Sequence, residues 1–232
     1  MTVNLIVAIS ENNAIGKNGD LCFHIKDDLR RFKELTIGKP VIMGYNTYKS
    51  LPNGALPKRE NIVLCDNETT VLIKEMVTLL PSLEEAIQYC NDNCYDDIFI
   101  IGGGMLYKYA IEHDLVDILY ITKIHEIVED ADTFFPNIDY NKWVEKTKED
   151  KVTEDGVKYS FVKYKRNKAK FILNPDSIHV DKIHKAIEKK KEKFGERYCP
   201  CVTKLAHCED TICPCKEYRT NGGKCHCELY IE

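Results

Sequence analysis

DIFIIGGGMLY, residues 97–107, decides how this chain folds. Ile98 to Ile101 form an uninterrupted apolar run, which is how a strand covered on both faces reads, and the glycines Gly102–Gly104 break it ahead of a helical restart. Four further runs share that character: LIVAI (5–9), PVIMG (40–44), NIVLC (61–65) and DILYITKI (117–124). Between them, DDLRRFKELT (27–36) sets Leu29, Phe32 and Leu35 on one helical face. Ser82 followed by Glu85 forms a capping box ahead of LEEAIQYC. Strands alternating with helices imply an α/β fold built on a mostly parallel sheet. NKWVEKTKED and VKYSFVKYKR, either side of the turn-like EDG at 154–156, add an antiparallel C-terminal edge.

Composition narrows the function. The 232 residues are enough for one domain plus a small module. No apolar run approaches the roughly 20 residues of a bilayer span, so no membrane association is expected. MTVNLIVAISENN at the start lacks the basic flank of a secretory signal and reads as a buried first strand. Charge is uneven: 20 basic against 27 acidic residues before position 168, then 13 against 10 from there on. An acidic body argues against binding nucleic-acid phosphates. Lys189, Lys190, Lys191 and Lys193 read as a solvated helix face.

The pattern changes after Arg166, which divides the chain into a body, 1–166, and a tail, 167–232. SIHVDKIHKAIEKKKEKFG (177–195) is a helix with Val180, Ile183, Ile187 and Phe194 at helical spacing and Gly195 as its C-cap. CPCVTKLAHCEDTICPCKEYRTNGGKCHC (199–227) follows, and holds seven of the chain's eleven cysteines. Cys22, Cys65, Cys90 and Cys94 are scattered through the body as buried thiols. With no signal sequence, the tail cysteines point to metal, cluster or thiol chemistry in a reducing cytoplasm. Three readings stand on residue types alone: a zinc knuckle, a structural disulfide pair, or an iron–sulfur cluster. Zinc favours Cys-x2-Cys over these Cys-x-Cys pairs, and six paired cysteines with His226 exceed one metal's need.

AIGKNGDLCFHIKDDLRRFK, KPVIMGYNTYKSL, LPKRENIVL, IIGGGMLY and ADTFFP occur in order with compatible spacing. Together they resemble dihydrofolate reductase over residues 3–166, although IGGGMLY alone lacks Rossmann spacing. The resemblance implies reduction of 7,8-dihydrofolate to tetrahydrofolate, with NADPH as cofactor and NADH as the alternative. Asp28 would orient the pterin ring as the catalytic carboxylate, supported by Thr122, while Asp27 serves the helix start. Ile6, Ala8, Phe32 and Ile101 would line the pterin pocket, and Arg59 would pair with the glutamate-tail carboxylate. Gly44, Thr47, Ser50, Gly102, Gly103 and Gly104 would face the cofactor phosphates, with Thr47 and Ser50 beginning a second helix. Ala8, Ile15 and Tyr107 would meet the nicotinamide. Leu21-Cys22-Phe23 replaces the family's Leu-Pro-Trp, and Tyr45 and Asp66 stand where the 2′-phosphate usually meets basic and hydroxyl groups.

NPD (174–176), the helix after it, and the order CPC, CPC, CHC resemble the catalytic subunit of ferredoxin:thioredoxin reductase over 168–232. That likeness implies a small, mainly helical domain. Cys199, Cys213, Cys215 and Cys225 would ligate a [4Fe–4S] cluster, with zinc as the alternative. Cys201 and Cys227 would form a redox-active disulfide, Cys201 attacking the target, and His226 would move protons. A ferredoxin-like donor and a thioredoxin- or glutaredoxin-like acceptor are the implied partners. The gap between the CPC motifs, 202–212, is shorter than in that family, and Cys208 within it has no family role.

Overall fold

Strand β1 (Thr2–Ile9) is buried along nearly its whole length. It pairs in parallel with both β7 (Asp97–Gly102) and β8 (Ile118–Ile124), so the apolar run at 5–9 becomes the centre of a sheet. The computed structural model describes residues 1–65, 77–140, 142–167, 172–173, 176–200, 212–213 and 227–231. The chain divides into two compact units, Met1–Asn137 with Glu145–Lys165, and Ile138–Val144 with Arg166–Glu232.

The first unit is built on an eight-stranded sheet. It adds β4 (Val41–Gly44), β5 (Asn61–Leu64), β6 (Thr78–Leu80), β10 (Trp143–Val152) and β11 (Lys158–Arg166), in the order β10-β11-β8-β1-β7-β4-β5-β6. Strands β5 and β6 extend the parallel part, and β11 runs antiparallel to β8. Strand β6 has three residues before Pro81, too short to show a period, and the sequence reading omits it. A second small sheet of β2 (Ala14–Lys17), β3 (Asp20–Leu21) and β9 (Thr133–Phe134) was equally illegible for its length.

Four helices accompany the sheets. Helix α1 (Lys26–Thr36) opens with Asp27 and Asp28 in its first turn, and α2 (Tyr45–Ser50) follows β4 directly. Helix α3 (Leu83–Asp92) starts where expected: Ser82 Oγ accepts from the Glu85 N–H at 3.2 Å. Helix α4 (Gly104–Glu112) begins at the last glycine of the opening triplet. Ile6, Val41, Met43, Val63 and Phe99 form a core against which Phe32, Leu35, Tyr45 and Ile101 pack. Leu29 departs from the expected apolar face and remains 44% exposed.

The second unit is organised by α5 (Ser177–Phe194). Asp176 caps it by accepting from the N–H groups of Ile178 and His179, and Gly195 closes it in a left-handed conformation, φ 84°. Buried Ile187 and Leu229 gather Val180, Ile183, Cys213 and Cys227 around them. Strands β12 (Ile172–Leu173) and β13 (Tyr230–Ile231) pair antiparallel. Lys190 is no part of a solvated face; its ammonium donates to the Cys199 carbonyl at 2.8 Å. Near the other end of α5, His179 Nε2 meets the Cys227 carbonyl at 2.9 Å. No described helix is long and apolar enough to cross a membrane.

Within the first unit the loop before β5 is held by one side chain. Asn61 is buried; its oxygen accepts from Leu56 N–H at 2.8 Å, and its amide donates to the carbonyls of Leu56 (2.8 Å) and Arg59 (3.0 Å). Replacing Asn61 with Ala strands three buried or half-buried backbone groups. Urea unfolding of Asn61→Ala is expected to show a loss of about 2–3 kcal/mol, where an ordinary surface exchange would move the midpoint little.

Candidate active site

Helix α1 sorts its two neighbouring carboxylates by rotation. Asp27 accepts from the Tyr159 hydroxyl at 3.0 Å and pairs with Arg30, an arrangement that ties the helix to β11 and holds this carboxyl below its ordinary range. Tyr159, buried beneath, is pushed up to about 12, first by burial and then by that bond. Asp28 turns the other way. Thr122 on β8 donates its hydroxyl to Asp28 Oδ1 at 2.5 Å. Burial raises the Asp28 carboxyl above its ordinary value, opposed by the Thr122 bond and by the Arg31 cation.

Strand register brings the remaining pterin-side residues together. Ala8 on β1 lies opposite Thr122 on β8, and Ile6 shares a core cluster with Phe32 and Ile101. Ile6 also receives the hydroxyl of Tyr107 on its carbonyl at 2.8 Å. Tyr107 is fully buried and packs edge-on against Phe135, so its phenol is a link between α4 and β1 and titrates far above its ordinary value. Arg59 is fixed from two sides: Nε donates to Thr36 Oγ1 at 2.9 Å and Nη1 to the Pro57 carbonyl at 3.2 Å. Thr36 in turn donates to the Phe32 carbonyl, which couples the arginine to the same turn of α1 that carries Phe32.

A second group gathers where β4 and β7 end. Met43 and Gly102 are register partners, so the glycines after β7 lie beside the start of α2. The Gly102–Gly103 peptide is cis. A Cβ on Gly102 would sit 3.0 Å from Thr47 Oγ1, one on Gly103 3.2 Å from the same atom, and one on Gly104 2.9 Å from Thr133 Cγ2. Side chains are excluded at this corner, which only backbone can occupy at the start of α4. Gly44 is the N-cap of α2. Ile15 is buried, with its Cδ1 3.7 Å from the would-be Gly104 Cβ. Ser50 is displaced from its expected place: it is the last residue of α2, and its hydroxyl returns to the Thr47 carbonyl at 2.8 Å. Tyr45 packs on the core cluster rather than standing as a polar group, and Asp66 lies outside the described residues.

Sequence reading missed Arg31. Its guanidinium lies over Phe161, 4.3 Å from the ring centroid, and Nη1 reaches Thr122 Oγ1 at 3.4 Å. Its i, i+3 spacing from Asp28 was the available signal, since those positions share a helix face.

In the second unit, Cys199 is buried and Cys213 and Cys227 are half-buried. The Tyr198–Ile212 bridge and the bond from Cys213 N–H to the Arg197 carbonyl, 2.8 Å, put Cys199 and Cys213 on adjoining backbone segments. Cys201, Cys208, Cys215, Cys225 and His226 lie outside the described residues. Among the described residues no group of three or more metal-binding side chains converges.

Comparison with known proteins bears on both units. Residues 2–166 match the family model described as dihydrofolate reductase, and residues 146–232 match that described as ferredoxin thioredoxin reductase catalytic beta chain. The dihydrofolate reductase of Haemophilus influenzae is 41% identical over 143 residues, covering 62% of this chain and 84% of its own. That of Neisseria meningitidis serogroup B is 36% identical over 175 residues, covering 72% and 99%. The structure of dihydrofolate reductase from Enterococcus faecalis complexed with NADP(H) and RAB-propyl superimposes with a TM-score of 0.63 at 34% identity, covering 72% of this chain and 96% of that one.

A buried carboxyl with a raised pKa costs stability when it ionises. The sign follows from linkage: the folded protein binds the Asp28 proton more tightly than the unfolded chain does, so stability from this group is present at low pH and is lost as pH rises through its raised value. Asp28→Asn, which keeps an acceptor for Thr122, is expected to melt about 2–4 °C higher than the parent at pH 7. The difference should shrink as pH falls toward 4, and thermal melts across that range check it.

Proposed function

The chain belongs to the dihydrofolate reductase family and is an oxidoreductase of that kind, and we propose that it reduces 7,8-dihydrofolate to 5,6,7,8-tetrahydrofolate with NADPH, while its last third works as a second redox site. The buried pair Asp28–Thr122, set beside Ala8 at the sheet centre, carries the first part. Asp28 accepts from the pterin's amino group and ring N–H, which fixes the ring and favours its protonated form. Ile6, Phe32 and Ile101 supply apolar walls that exclude water around that carboxylate. Arg59, its plane already set by Thr36, offers a planar fork to the substrate's glutamate carboxylate.

The cofactor reading rests on the cradle at Gly102–Gly104, where a Cβ on each residue would meet Thr47 or Thr133. Gly44, Thr47, Gly102, Gly103 and Gly104 would bind phosphate through backbone groups, with Ala8, Ile15 and Tyr107 around the nicotinamide. When bound, reduced nicotinamide supplies the hydride. Ser50, at the far end of α2, is the weakest member of this set. NADPH is preferred over NADH on family grounds.

For the tail we propose domain limits of 167–232 and a [4Fe–4S] cluster on Cys199, Cys213, Cys215 and Cys225, beside a Cys201–Cys227 disulfide served by His226. The adjoining backbone of Cys199 and Cys213, and the packing of Cys213 and Cys227 against the same Ile187–Leu229 cluster, support that grouping. Such a cluster supplies single electrons to a two-electron thiol exchange. The donor would be ferredoxin-like and the acceptor thioredoxin- or glutaredoxin-like, in the reducing cytoplasm where exposed thiols persist.

Asp28→Asn is expected to lower the rate of dihydrofolate reduction by about 10²–10⁴-fold in a folded protein; an unchanged rate removes the assignment. Turnover with NADPH should exceed that with NADH. Anaerobically purified protein should be brown and carry about four iron per chain, whereas a colourless protein with stoichiometric zinc replaces the cluster reading with a structural zinc tail.

A further inference from the structure

Thr122 Oγ1 takes part in two contacts of opposite sense. It donates to Asp28 Oδ1 at 2.5 Å and lies 3.4 Å from the Arg31 Nη1 donor. Arginine has no acceptor, so the hydroxyl can meet it only through an oxygen lone pair. The single hydroxyl proton is thereby committed to the carboxylate. The guanidinium is itself restrained: it stacks on Phe161 at 4.3 Å and reaches the Tyr120 ring at 5.7 Å. Phe161 is the register partner of Thr122 on β11, and Tyr120 lies two residues before Thr122 on the same face of β8. One patch of sheet therefore holds the cation, the hydroxyl and the rings under the cation.

We propose that Arg31 is a positioning residue for the folate site: clamped on Phe161, it fixes the Thr122 hydroxyl toward Asp28 Oδ1 and leaves the second carboxylate oxygen to meet the pterin ring. This rests on the reading of Asp28 as the pterin-orienting group. Arg31 also places a permanent positive charge near a buried carboxylate, favouring its ionised form. The other charged and titratable groups around the pair are Asp27 on α1, Tyr107 on α4, Tyr120 on β8, Glu149 and Lys151 on β10, and Tyr159 and Lys163 on β11. Tyr107 and Tyr159 are held neutral well above physiological pH. Glu149 favours the Arg31 cation, while Lys151 lies over the Phe161 ring from β10 and Lys163 over the Tyr120 ring from β11.

The test pairs kinetics with a direct titration. In Arg31→Met, the alkaline limb of the pH profile for hydride transfer is expected to move up by about half a unit to one unit, and kcat/KM at pH 7 to fall about 3–10-fold, mostly through KM. Arg31→Lys should recover part of both, and Arg31→Gln, neutral and polar, carries the comparison if the methionine variant does not fold. Thr122→Val combined with Arg31→Met should cost less than the product of the two single losses, because the valine has already removed the hydroxyl that Arg31 positions and leaves only its charge to act. Carboxyl-carbon NMR of Asp28 in ligand-free protein should show the same upward shift in Arg31→Met, whatever the enzyme turns over. An unmoved Asp28 titration, or additive losses in the double variant, overturns the positioning role. A parent protein that fails to reduce dihydrofolate while the Asp28 titration shifts as expected would instead overturn the proposed function.

Discussion

Everything at the folate site depends on β1 being flanked by two parallel neighbours. Parallel pairing with β7 and β8 aligns the carboxyl ends of three strands, and that edge is where an open α/β sheet presents its crevice. Ala8 and Thr122 come side by side through register alone, and Asp28 is then delivered from α1 onto that pair. The glycine triplet after β7 lies against α2 because β4 is the next strand across. A register slip of one residue would turn Thr122 to the other face and leave Asp28 buried without its donor.

The long apolar strands were legible because burial on both faces removes the polar alternation that would confuse a short run. DIFIIGG and DILYITKI contain β7 and β8 whole, and LIVAI is the last five residues of β1. Two- and three-residue strands were not legible, since a period needs length to show itself. At the site, residue types at the motif positions could be read, but the sense of each contact could not. The support of Asp28 by Thr122 was legible through the family resemblance, but nothing in DDLRRFK says that Asp27 will meet Tyr159, 132 residues away. Leu29 shows the limit of helical periodicity: it shares a face with Phe32, yet remains exposed.

The second unit follows another logic. Among its described residues, Ile187 and Leu229 form a buried cluster, and cysteines are among the side chains packed against it. Helix α5 is well capped at both ends, and side chains from its first and fourth turns reach cysteine carbonyls. The run of lysines in α5 could be read from composition, but the turning inward of Lys190 depends on where Cys199 comes to rest.

The hairpin of β10 and β11 is closed at its base. Asn167 N–H donates to the Lys142 carbonyl at 2.8 Å, and the Arg166 guanidinium lies 5.0 Å over the Trp143 ring. The chain therefore enters and leaves the hairpin through a single clasp. A clasp of this kind fixes the direction in which the chain leaves the edge of the sheet, so that the cap of α5 at Asp176 is reached only nine residues later. Residues 146–166, which hold most of that hairpin, are matched by both family models.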